Sequence, residues 1–235
     1  SNNNIAIGTN AMDAALDGAL NNTAIGTSSL GTLTSGDNNI AIGYSSLDTN
    51  TDGSQNIAIG SEALAAINHA DANGTIGIGH NALKALTGAG GNIAIGWGSL
   101  VDNTTGLYNV AIGYNTMHGN VTGHSNIAIG YGAMDDLDAG ANSQDSDHNI
   151  AIGVNAMGGQ WANNKSESNV AIGSDAMSGA LNSCGSNTTV GFQGLMSLTE
   201  GDQNTVVGAY AGNAITEGDD NTILGYDAGG AITTG

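Results

Sequence analysis

The chain has no proline, no arginine, one cysteine and one phenylalanine in 235 residues. Each scarcity excludes something. A lone Cys184 cannot close an intramolecular disulfide. Lys84 and Lys165 are the only cations against 21 acidic residues, a net charge of −19. Nucleic acid binding is excluded, because phosphate contacts need Lys and Arg, and so are anionic membrane surfaces. Aromatics make up only 4% of the chain, less than a globular core of this size would use. No apolar run approaches the roughly 18 residues of a membrane-spanning helix. Glycine is abundant at 39 residues, but without a collagen period.

What is present is one phrase, Asn-Ile-Ala-Ile-Gly, written in thirteen variants from Asn4–Gly8 to Asn221–Gly225. Aligned on the closing glycine (position 0), the commonest spacing is 17 residues, with exceptions of 18, 19, 20 and 23. Asn stands at −4 in twelve of thirteen copies, Thr75 being the exception. Ala stands at −2 in nine copies; Gly77, Thr189, Val206 and Ile223 replace it in the others. Leu or Met stands at +4 in eleven copies, and Gly212 and Gly229 take that place in the last two. Fixed-period self-similarity identifies a chain built by stacking one unit.

The phrase predicts a strand of about four residues, closed by glycine and preceded by a turn-rich segment. Residues −3 and −1 share one face and −2 takes the other. One such strand per 17 residues, with no return strand, predicts parallel stacking about 4.8 Å apart. The fold class is therefore all-β: a repetitive parallel β-solenoid of about thirteen coils of about 17 residues. It is read as one domain over residues 1–235, with variant coils over 187–235. Thirteen coils would make a rod roughly 60 Å long. The Asn column is expected to form a hydrogen-bonded ladder and to tolerate the left-handed backbone of a corner. The glycines suit a corner where φ is positive or a side chain would clash. After the glycine, small-then-Leu/Met pairs such as Ala63-Leu64 precede a further apolar residue such as Ile67. That spacing leaves a second short strand, an irregular arc and a helical turn open. In each case Leu/Met is expected to close the core against the two Ile positions.

The face opposite the Ile pair carries Ala6, Ala24, Ala41, Ala58, Ala94, Ala111, Ala128, Ala151 and Ala171 in one column. Uniform smallness on an outer face predicts close approach of another backbone, so this stripe is read as the self-association surface of a homotrimer. The alternative is that alanine lines a cramped interior and Ile lies partly outside. Packing is expected to change where Thr189, Val206 and Ile223 replace it.

Val110-Ala111-Ile112-Gly113 and Val170-Ala171-Ile172-Gly173 resemble the head repeats of trimeric autotransporter adhesins. Asn204-Thr205-Val206-Val207-Gly208-Ala209-Tyr210-Ala211-Gly212 and the matching segment at 221–229 resemble repeats of phage tail-fibre proteins. The resemblance covers nearly the whole chain. It implies a left-handed parallel β-roll, three chains side by side, outside the cell or on a virion surface. The period of about 17 is longer than that of the adhesin heads.

Candidate sites are few. The 23-residue coil holds Asp135, Asp136, Asp138, Asp145 and Asp147, an oxygen-rich set suited to Ca²⁺. The arcs elsewhere carry Asp48, Asp52, Asp71, Asp102, Asp202, Asp219 and Asp220, read as solvated surface or as cation ligands. Trp161, in the 20-residue coil, is a candidate receptor or glycan platform, because insertions in a solenoid map to surface loops. His80, Trp97, Tyr44, Tyr114, Tyr131 and Tyr226 follow the closing glycine and form an aromatic column, read as a packing device. His118 and His124 make a weak pair. Sequons at Asn103, Asn120 and Asn164 are expected by chance. No strand-elbow-helix pattern supports a catalytic triad, and no cofactor motif is present. The start at Ser1 reads as that of an excerpt or processed piece.

These readings point to a non-enzymatic structural or adhesive fibre shaft, a tail-fibre or surface-adhesin segment mediating attachment. The alternatives are a self-assembling extracellular filament or surface layer and, less favoured, an ice- or glycan-binding β-solenoid.

Overall fold

The computed structural model describes residues 2–135, 145–161 and 164–234. The chain divides into two compact units, Ser1–Ile112 and Gly113–Gly235. The first carries β1 (Ile5–Ile7), β2 (Thr23–Ile25), β3 (Ile40–Ile42), β4 (Ile57–Ile59), β5 (Ile76–Ile78), β6 (Ile93–Ile95) and β7 (Val110–Ile112). The second carries β8 (Ile127–Ile129), β9 (Ile150–Ile152), β10 (Val170–Ile172), β11 (Thr188–Val190), β12 (Thr205–Val207) and β13 (Thr222–Leu224). Within each unit every strand pairs in parallel with its sequence neighbour, without slippage. Ala41 faces Ala58 between β3 and β4, and Ala128 faces Ala151 between β8 and β9. Each unit is a parallel β-solenoid, as the repeat predicts.

The interior is the reverse of the expected one. The −2 residues Ala24, Ala41, Ala58, Ala94 and Ala111 of the first unit, and Ala128, Ala151 and Ala171 of the second, have no exposed surface. The flanking residues point outward and stay about one-third exposed, at 37% for Ile59, Ile95, Ile129 and Ile172. Only in β1 are all three residues, Ala6 included, exposed. The cause is volume. The +4 Leu or Met fills the coil from the opposite wall, leaving room for a methyl group or less. At Gly77 even an added Cβ would sit 3.0 Å from Leu64 Cγ. Leu/Met therefore closes the core against Ala, not against Ile.

The rest of the coil is an irregular arc, with no α-helix among the described residues. Its shape comes from left-handed residues at fixed places. Those at +4 have φ of 47–53° from Met12 to Leu195. For bulky side chains this backbone costs about 1–2 kcal/mol per residue. Hydrogen bonds to the next coil offset it: Leu30 N–H donates to Ser46 O (3.0 Å), Leu47 to Ala63 O (3.1 Å), and Met134 to Ala156 O (3.0 Å). The arcs are thus stacked in the same register as the strands. The corner before the strand also needs a left-handed residue, but at −5 (Asn21, Asn38, Gln55, His148, Ser168) and not at the Asn column itself.

The Asn column is a buried ladder. Asn39 Nδ2 donates to Asn22 Oδ1 (3.0 Å) and to Gly53 O (2.8 Å), and Asn39 Oδ1 accepts Asn56 N–H (3.0 Å). In the second unit Asn187 Nδ2 donates to Asn169 Oδ1 (3.0 Å) and Gly201 O (2.7 Å), and Asn187 Oδ1 accepts Asn204 N–H (3.0 Å). Each side chain ties one coil to the next at two or three points. The closing glycines stack backbone on backbone: at Gly26 (φ 135°) a Cβ would fall 2.5 Å from Gly43 O. No other residue fits there.

Candidate interaction surface

The outward side of each sheet presents three columns, at −3, −1 and +1. In the first unit the −3 column runs Ile40, Ile57, Ile76, Ile93, Val110, and the −1 column Ile42, Ile59, Ile78, Ile95, Ile112. The +1 column holds the aromatic residues. His80 and Trp97 stack in parallel there, centroids 5.8 Å apart and planes 6° from each other. In the second unit Tyr114 and Tyr131 stack likewise at 5.5 Å and 9°. Phe192, Tyr210 and Tyr226 continue with edge-to-face contacts at 5.2 and 5.7 Å. Tyr210 stands at +2, so sequence alignment alone leaves it out of the column. The parallel-stacked rings lay a face against each other from one coil to the next. That is the packing role expected of them.

No Asp, Glu, Lys or Arg occupies any position of these three columns in either unit. At 10% charged residues overall, about four would be expected among three columns of thirteen. Apart from Ser61, Ser174, Ala209 and Leu224 these columns hold β-branched and aromatic side chains, and without charge on a chain of net charge −19 they form a segregated, largely apolar surface. Sequence reasoning placed the association stripe one residue away, on the buried alanines. Nothing can pack against side chains with no exposed surface, so the assignment is corrected for Ala24, Ala41, Ala58, Ala94, Ala111, Ala128, Ala151 and Ala171; Ala6 alone of the stripe is exposed. Alternation fixes which residues share a face but not which face is inside. The uniform Leu/Met at +4, facing a uniformly small −2, was the signal that could have decided it.

Trp161 is not a surface platform either. It is fully buried, and its Nε1–H donates to Met157 O at 2.9 Å. Like Leu181 and Leu198 of later coils, it belongs to the core. The solenoid interior is where the apolar area of Trp161 is best buried, with its N–H on a backbone acceptor.

Asp37, Asp202 and Asp219 have a structural task that composition did not reveal. At −6, a side-chain oxygen accepts the backbone N–H at −6 of the preceding coil: Leu20 N–H to Asp37 (2.7 Å), Gly185 N–H to Asp202 (2.6 Å), Asp202 N–H to Asp219 (2.8 Å). Asn73 serves Ser54 N–H in the same way at 2.6 Å. These are charge-assisted or amide acceptors between neighbouring coils.

Of the proposed Ca²⁺ set, Asp136 and Asp138 lie outside the described residues. Asp145 and Asp147 line a cleft of about 310 Å³ with Thr122, His124 and Lys165. Asp147 is already engaged: one oxygen accepts His124 N–H at 2.5 Å and the other lies 3.9 Å from Lys165 Nζ. Among the described residues no three His, Cys, Asp or Glu side chains converge as a metal site. The sequon residues Asn103 and Asn120 are buried, donating through Nδ2 to Gly106 O and Gly123 O. Lys84 pairs with Glu62, whose carboxyl this hydrogen bond and charge hold below the usual range. Cys184 is buried, its thiol pushed up to about 11 by burial, with Sγ–H donating to Thr199 O at 3.2 Å.

No protein-family model, curated protein or solved structure matches this chain.

Proposed function

We propose that the chain is a non-enzymatic shaft: an oligomeric segment, trimeric by analogy with the repeats it resembles, of a viral tail fibre or surface adhesin. It acts at the virion or cell exterior and serves attachment to a host or surface. The observation that supports this best is how, within each unit, each coil is fixed to the next. Strand, arc, Asn ladder and −6 acceptors all bond along the stacking direction, and the glycine backbones abut. A coil so tied cannot slide or hinge without breaking several bonds together. Stiffness built up by repetition is what a projecting element needs. The buried polar side chains are absorbed by this scaffolding: Asn39, Asn169 and Asn187 by the ladder, Asn50 and Asn103 by their own turns.

The test is location. Antibody raised against the purified chain should label projections on intact particles or cells of the source. Label found only after permeabilisation would overturn the reading. A second measurement addresses assembly: light scattering should give a mass near three chains, and EDTA should leave it unchanged. A self-assembling filament remains the second reading. It is favoured if mass grows without limit as concentration rises.

A further inference from the structure

We infer that the outward Ile and aromatic face is the surface on which a second copy of this chain docks. The inference deepens the oligomeric shaft and rests on that reading.

The occupant follows from three properties of the face. First, area. Seven strands about 4.8 Å apart, each presenting three outward positions, give roughly 600 Å² in the first unit, and six strands give roughly 500 Å² in the second. Each matches the largest apolar patch of an ordinary monomer and approaches the roughly 800 Å² per partner of a stable interface. Second, charge. The chain carries −19, so two copies repel unless they meet where none of that charge lies. The three outward columns carry no Asp or Glu in any coil. An anionic bilayer would still face the remaining charge at close range. Third, period. The face repeats ridges of Ile at the strand spacing, as in Ile57↔Ile76↔Ile93. A complementary surface must carry the same repeat, and another copy of the face supplies it. Sheets so apposed interdigitate about 10 Å apart.

The experiment replaces Ile59, Ile95, Ile129 and Ile172 together by Glu. All four side chains point outward, so the coil interior is untouched. Ala15→Glu, on an exposed arc, is the control. Wild type and control are expected to give a multiple of the 23.1 kDa chain mass by light scattering. The fourfold variant is expected to fall to a single chain with an unchanged far-ultraviolet circular dichroism spectrum. Should that variant not fold, the fourfold Ile→Thr variant replaces it, since Thr23 and Thr188 already occupy outward positions. It is expected to weaken association at least tenfold. A wild type that stays single at every concentration overturns the inference, as does a folded variant that keeps the wild-type mass. A single wild-type chain that antibody still finds on surface projections removes the docking face and leaves the shaft standing.

Discussion

Ile223 fills the space that the missing side chain of Gly229 leaves: a Cβ on Gly229 would lie 2.9 Å from Ile223 Cδ1. Elsewhere a small −2 residue faces Leu or Met at +4. Here the large residue has moved to −2 and the small one to +4. Gly212 shows the same exchange, its absent Cβ being 3.4 Å from Ile223 Cδ1 and 3.3 Å from Leu195 Cδ2. In the coil of β11, Thr189 replaces Ala and Gly194 at +3 gives way to its hydroxyl. The change of packing expected over the last three coils is thus an exchange of volume across the core. In the coils of β12 and β13 it also replaces the strained left-handed Leu or Met by Gly212 and Gly229.

The exchange predicts coupling. Ile223→Ala should destabilise by about 2–4 kcal/mol through a cavity. Gly229→Leu should destabilise by about 1–3 kcal/mol through overpacking. The double variant recreates the commoner coil and should lose less than the sum, by about 1–3 kcal/mol. Denaturant unfolding of the four proteins measures this, and strict additivity would contradict it.

Thr75 interrupts the Asn ladder. Its Oγ1 and Asn56 Nδ2 are buried without a hydrogen-bond partner, while Thr75 N–H still donates to Asn56 Oδ1 at 3.0 Å. Thr75→Asn should supply a ladder amide and raise stability by about 1 kcal/mol. Asn39→Ala, which removes the bonds to Asn22, Gly53 and Asn56, should cost about 3 kcal/mol. A thermal melt that moves down for Thr75→Asn would show that the ladder does not tolerate completion there.

The two sides of a strand should respond oppositely. Ala58→Leu drives a large side chain into a full core and should destabilise by about 3 kcal/mol. Ile59→Thr, one residue on, keeps a β-branched side chain on the outer face and should change the stability of the single chain by less than about 1 kcal/mol. Unfolding of both variants in the unassociated state decides it. Equal effects would contradict the inward alanine.

Cys184 makes stability depend on alkaline pH. Burial raises its thiol from the ordinary 9.0 to about 11 in the folded chain. The folded state therefore holds the proton more tightly than the unfolded one. This stabilisation is complete below about pH 9 and is lost as pH rises from there toward 11, of the order of 2 kcal/mol in all. Cys184→Ala should flatten the stability profile across that window. A profile unchanged by the substitution would show the thiol to be solvated.

The repeat determined most of the architecture by itself. A four-residue apolar phrase closed by glycine every 17 residues has one economical arrangement, a parallel stack, because every copy pairs best with the next in the same register. The Asn column was legible for the same reason, since identical side chains one coil apart must meet. Alternation says that Ala58 and Ile59 point opposite ways, and nothing local says which way is in. Tertiary structure decided that, through the volume of Leu47 and Leu64 across a narrow coil. It also decided where the left-handed corners fall, at −5, +2 and +4, because arc hydrogen bonds to neighbouring coils compensate a backbone that no propensity favours. Trp161 escaped sequence reasoning because loop length and side-chain direction are independent. The acceptors at −6 escaped it because an Asp in a turn looks the same whether it meets water or a backbone N–H one coil away.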